Sequence, residues 1–134
     1  MSKLSSKEAQ GVIDLMLDSQ VDMIVRARDP KLPPQQKKQL RKNAMDLGNE
    51  ITRMNVVGII ALGLELEESV ISEMKQATQH AVDAITKLQD IRKMIRIATA
   101  LVILAAAVAS QNPGAVAKAS KGLLDELGVT DKIL

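Results

Sequence analysis

The feature that most constrains this chain is a run of apolar residues spaced alternately by four and three: Val70, Met74, Ala77, Ala81, Ala84, Leu88, Ile91, Ile95, Ala98, Val102, Ala105 and Ala109. Twelve positions keep that frame across 40 residues. Heptad spacing of this length marks a helix that buries one seam against its neighbours. An ordinary amphipathic helix drifts off a 3.5-residue frame by about 20° per heptad and leaves it within two or three heptads.

The rest of the chain also reads at helical period. Ser5-Ser6-Lys7-Glu8 fits a capping box, in which Ser5 covers a free amide and Glu8 reaches back. Ala9, Val12, Met16, Met23 and Ala27 follow as a stripe that Ile13, Leu17 and Ile24 widen. Asp29-Pro30-Lys31-Leu32-Pro33-Pro34 stops this helix, and Pro34 suits the first position of the next. Leu40, Ala44, Leu47, Ile51, Met54, Gly58 and Ala61 stripe that second helix. Extending its frame lands on Glu65, Glu68, Ser72 and Lys75, so a hairpin turn is expected near 62–66 rather than one rod. Ser110-Gln111-Asn112-Pro113-Gly114 is the last break, with Asn112 as cap and Pro113 at the first helical position. Val116, Ala119, Leu123, Leu124 and Leu127 stripe a short final helix that Gly128 ends. A tail closing on Ile133 and Leu134 follows.

No alternating segment bounded by turn residues signals a strand. The predicted fold is therefore all-α, a helical bundle or coiled-coil hairpin in one domain, 1–134. It has three long helices, about 6–28, 35–62 and 66–110, and a short C-terminal one over 114–127. The alanine-rich seam buries little apolar area per residue, at about 25 cal/mol per Å². Self-association is a natural way to add burial.

Composition removes most chemistry. The chain has no Cys, Trp, Tyr or Phe and a single His. Disulfides, thiolate sites, aromatic cages and base-stacking platforms are excluded, and no cofactor or metal is expected. His80 has Glu73, Gln76, Ala77, Asp83 and Ala84 as helix-face neighbours, and no Glu-x-x-His pair exists to build a di-metal site. The seven glycines are scattered, without a phosphate-loop or dinucleotide fingerprint, and no Gly-x-Ser-x-Gly elbow or EF-hand occurs. The chain is not read as an enzyme.

The charges carry more. The formal net charge is only +2. With a turn near residue 64, position x on the second helix faces roughly position 129 − x on the third. Lys37, Lys38, Arg41 and Lys42 then lie beside Arg92, Lys93, Arg96 and Lys87, with Arg26, Arg28 and Lys31 at the same end. Asp29, Asp46 and Asp90 compensate in part. The opposite end gathers Glu50, Glu65, Glu67, Glu68 and Glu73 against Lys3, Lys7, Arg53 and Lys75. The expected interaction residues are Lys37, Lys38, Arg41, Lys42, Arg92, Lys93 and Arg96.

These readings point to a non-enzymatic interaction or assembly protein: a building block, adaptor or small inhibitor. It would associate through its heptad seams and basic end with copies of itself or with an acidic protein. The alternative is a membrane-active helical protein, which resembles α-helical pore-forming toxins and secretion-system translocators in layout alone. That reading uses the apolar stretches 56–64 and 97–109, the second preceded by Arg92, Lys93 and Arg96, toward an anionic membrane surface. Both stretches fall short of the roughly 20 residues a spanning helix needs. Nucleic acid suits the chain poorly, given near-neutral charge and no aromatic residues. No secretory signal opens the sequence, so a cytoplasmic location or export by a leaderless route is expected. Far-ultraviolet circular dichroism should show an almost wholly helical spectrum; substantial strand signal would overturn the fold class.

Overall fold

Ser5 and Glu8 form the expected reciprocal cap: the Glu8 amide donates to Ser5 Oγ (3.1 Å) and the Ser5 amide to Glu8 Oε1 (3.2 Å). From this start helix α1 runs over Ser6–Arg26, and α2 begins at Pro34 and runs to Val57. The computed structural model describes residues 2–57 and 64–128. Of the expected turn near 62–66, positions 62 and 63 lie outside the described residues, as does the Ile133-Leu134 tail. Three more helices follow: α3 (Glu68–Lys87), α4 (Ile91–Ala109) and α5 (Pro113–Leu127). All-α is the class observed.

One minor element departs from it. Strands β1 (Ser2–Lys3) and β2 (Glu65–Leu66) pair antiparallel, and the Leu4 amide donates to the Leu64 carbonyl (2.7 Å). Leu4, Leu64 and Leu66 are buried beneath this clasp. Too short to leave an alternating pattern, it ties the chain's start to the start of α3.

The single helix expected over 66–110 is two helices. Leu88 takes an extended conformation (φ −66°, ψ 135°), and Asp90 caps α4 by accepting from the Lys93 amide (3.2 Å). The heptad frame runs through unbroken because residue spacing does not record whether the backbone turns; Leu88 and Ile91 stay half-buried on either side of the corner. The corner is held from outside. Arg26, in the last turn of α1, donates to the carbonyls of Ile85 (3.0 Å), Thr86 (3.1 Å) and Leu88 (2.6 Å). The carbonyls ending an α-helix lack intrahelical partners, and a guanidinium supplies several donors in one plane. Beside it, Thr86 donates to Asp22 Oδ2 (2.6 Å).

These ties set directions. Lys75 near the start of α3 meets Glu8 near the start of α1 (3.4 Å), and Arg26 meets the end of α3, so the two helices are parallel. Gln20 donates to the Ala44 carbonyl (3.1 Å) across the antiparallel α1–α2 pair. A Cβ on Gly48 would collide with the Gln20 amide, so glycine permits this close approach. Arg96, early in α4, pairs with Glu126, late in α5 (3.4 Å), making that pair antiparallel. Around the bundle the order is α1, α2, α4, α5, α3, closing back on α1. The α2–α3 hairpin expected from sequence does not form; α2 packs on α1 and α4 instead.

Helix α4 touches every other helix. Met94, Ile97, Leu101 and Leu104 are fully buried on it, with Ala98 and Ala105. One side of the apolar stretch 97–109 is thus core, while Ile103 stays exposed and Ala100, Val102 and Ala106 half-buried. Among the described residues, no helix is long and apolar enough to cross a membrane. The core is also larger than the alanine seam suggests, since Met16, Met23, Met54, Met74 and Met94 are fully buried and fill gaps between small residues. On α1, by contrast, Leu17 and Ile24, expected to widen the buried stripe, are exposed.

Leu101→Ala should cost about 2–5 kcal/mol in urea unfolding, and Arg26→Leu about 1.5–3 kcal/mol. Gly11, exposed within α1 with nothing near a new Cβ, should stabilise by about 0.5–1 kcal/mol when changed to Ala. The Ser5 amide, the Ser5 hydroxyl and Lys75 hold the Glu8 carboxyl below the ordinary carboxylate range, against a small opposing effect of burial. Its folded-state value is depressed, so its contribution is present at neutral pH and fades as pH falls below about 4.3. The stability gap between the parent and Glu8→Gln should shrink in that acid range.

Candidate functional site

The short α1–α2 connection, 27–33, places the start of α2 beside the end of α1. The α3–α4 corner, 88–90, places the start of α4 beside the end of α3. Because Arg26 joins the ends of α1 and α3, both starts lie at one end of the bundle. Helices α2 and α4 are therefore parallel neighbours. Asn43 donates to Thr99 (3.3 Å) between them, nine residues past Pro34 and eight past Ile91. This corrects the antiparallel register of the sequence reading. The expected basic residues still share an end, for a different reason: both clusters lie within the first three turns of parallel helices.

Lys38, Arg41, Lys42, Arg92 and Arg96 are exposed there, and Lys37 and Lys93 are half-buried. Among the described residues, two of the seven form ion pairs: Lys42 with Asp46 (2.9 Å) and Arg96 with Glu126 (3.4 Å). Arg28, Lys31 and Lys87 add exposed positive charge nearby. Arg26 does not, since its guanidinium is engaged by the α3 carbonyls.

Neither α2 nor α4 carries an acid in its first turn. Helix N-termini hold partial positive charge, worth roughly 0.3–1 kcal/mol to a neighbouring anion. Here Lys37, Arg92 and Lys93 stand where acids are favoured, and the Asp90 cap offsets one terminus only. The end is electrostatically suited to an anionic surface.

A cleft of about 290 Å³ opens at this end between Asp83, Lys87, Leu88, Lys93, Ile97 and Leu127. A larger groove of about 620 Å³ lies between α4 and α5, walled chiefly by alanines with exposed Ile103. Neither was legible in the sequence, because each depends on how α5 folds back against α4. His80 is half-buried on α3, and among the described residues no group of three His, Asp or Glu side chains could hold a metal ion.

The Arg26 clamp was also missed. Its sequence signal is faint: a basic residue in the last turn of α1, and an Asp three residues beyond the α3 end that could cap a new helix. No protein-family model, no curated protein and no solved structure matches the chain.

Proposed function

We propose that this chain is a non-enzymatic helical interaction protein whose basic end docks on an acidic face of a partner protein. The observation that carries this reading is the parallel packing of α2 on α4. It gathers seven bases at two helix N-termini that have no first-turn acids, and leaves five of the seven outside any ion pair among the described residues. Like charges held this closely repel, and an anionic partner relieves that cost.

Much of the heptad seam is taken up inside the chain, which leaves the basic end to carry the docking in this reading. Met74, Ala77, Ala81, Ile95, Ala98, Ala105 and Ala109 are buried within the chain itself. The charged end is open to a partner, and electrostatic complementarity of this kind acts mainly through association rate and specificity.

The test substitutes Lys38, Arg41 and Arg92 together with Glu, all exposed positions. Circular dichroism and melting temperature should be unchanged. Binding to poly-L-glutamate, used as the acidic probe, should be lost in the variant. In the parent it should weaken steeply from about 0.01 M to about 1 M salt as the screening length falls from about 30 Å to about 3 Å. A variant that binds like the parent, or binding indifferent to salt, would overturn the reading. Binding confined to vesicles of phosphatidylserine and phosphatidylcholine would replace a protein partner by a lipid surface.

A further inference from the structure

Six large apolar side chains stand out as exposed among the described residues, and four of them lie on one helix: Leu17 (41% exposed), Val21 (57%), Ile24 (37%) and Val25 (57%) of α1. Their spacing of four, three and one keeps them on one face, opposite the core-facing Met16 and Met23. A fifth, Met45 (66%), follows Ala44, whose carbonyl accepts from Gln20. That bond sets Met45 level with Val21 on the neighbouring helix. These side chains form an apolar strip on the outer face of α1, bordered by the exposed Asp18, and exposed apolar strips of this kind mark interaction surfaces.

We propose that this strip is the interface with a second copy of the chain, formed by antiparallel pairing of α1 with α1 about a two-fold axis at Val21. Charge placement identifies the occupant. Asp14 lies seven residues before Val21 and Arg28 seven residues after it. Within the helix seven residues are two turns, about 10.5 Å, which returns Asp14 to the face that carries Val21. Arg28 lies two residues beyond the end of α1, in the turn that closes it, where its amide donates to the Val25 carbonyl (3.1 Å).

In a two-fold antiparallel pair, position x meets position 42 − x of the other copy. Val21 then meets Val21, Leu17 meets Val25, and Asp14 meets Arg28 at both ends of the contact. Both charges are exposed, and neither has an ion-pair partner within the chain among the described residues; Asp14 accepts only from the Gln10 amide (2.8 Å). A self-complementary patch is what a two-fold interface requires, because the same surface serves both partners.

The face is of the order of size that a stable interface needs. A stable interface takes about 800 Å² from each partner, roughly a tenth of this chain's 7456 Å² surface. Helix α1, 21 residues long, extends about 32 Å, and with α2 beside it presents a face two helix diameters of about 10 Å wide.

Sedimentation equilibrium over a broad concentration range, with variants, tests the pairing. The parent should form a discrete dimer. Val21→Glu places two carboxylates at the two-fold axis and should yield a monomer with an unchanged helical circular dichroism spectrum, since Val21 is exposed in the single chain. Asp14→Arg alone and Arg28→Asp alone each break two ion pairs and juxtapose like charges, weakening dimerisation about tenfold. The double variant restores opposite charges and should recover the parent's affinity to within a few-fold. The Lys38, Arg41 and Arg92 triple variant should dimerise like the parent, which separates this interface from the basic end. A parent that stays monomeric at every concentration would overturn the proposal. So would a dimer that survives Val21→Glu, or a double variant no better than the single ones. A monomer that sediments with phosphatidylserine vesicles through Val21 would assign the strip to lipid instead.

Discussion

The Arg26 guanidinium, set against the last carbonyls of α3, is the contact on which the arrangement of the bundle depends. Ending a helix inside a folded chain leaves carbonyls without partners, and an orphaned buried acceptor costs about 1–3 kcal/mol. Here one side chain supplies the Ile85, Thr86 and Leu88 carbonyls with donors, while Asp90 supplies an acceptor to the amides that open α4. The corner that results lets the most apolar helix of the chain turn back into the centre.

That central placement explains how a chain without aromatic rings builds a core. Helix α4 presents Ala98, Ala105 and Ala109 as well as Leu101 and Leu104, so its neighbours approach closely on several sides at once. The shortfall in side-chain volume is met by methionines from α1, α2, α3 and α4, whose flexible thioethers occupy irregular space. A seam that looked like half of an intermolecular coiled coil is satisfied within one molecule.

Two surface features follow from the same geometry. Turning α4 back makes it parallel to α2, which stacks the basic first three turns of both helices at one end and concentrates positive charge that a chain of formal charge +2 would otherwise disperse. Burying α1 on one face only, against α2 and α3, leaves its outer apolar strip uncovered between Asp14 and Arg28. The two surfaces differ in chemistry and in location, one formed by helix ends and the other by a helix flank.

The sequence by itself determined the class of the fold and most of its helix boundaries. The Ser5–Glu8 box, Pro34, Asn112-Pro113 and Gly128 each act through bonds within a few residues, and each appears where local spacing puts it. It also marked which residues would carry the basic end. Tertiary structure decided where the long third helix breaks, which helices become neighbours and which way they run. It also decided that Leu17 and Ile24 face outward while the seam faces in. Heptad spacing records the period of burial but neither its direction nor its partner, and the Arg26 clamp joins residues some 60 positions apart. Contacts of that range are chosen by the energy of the whole packed chain, so no local pattern contains them.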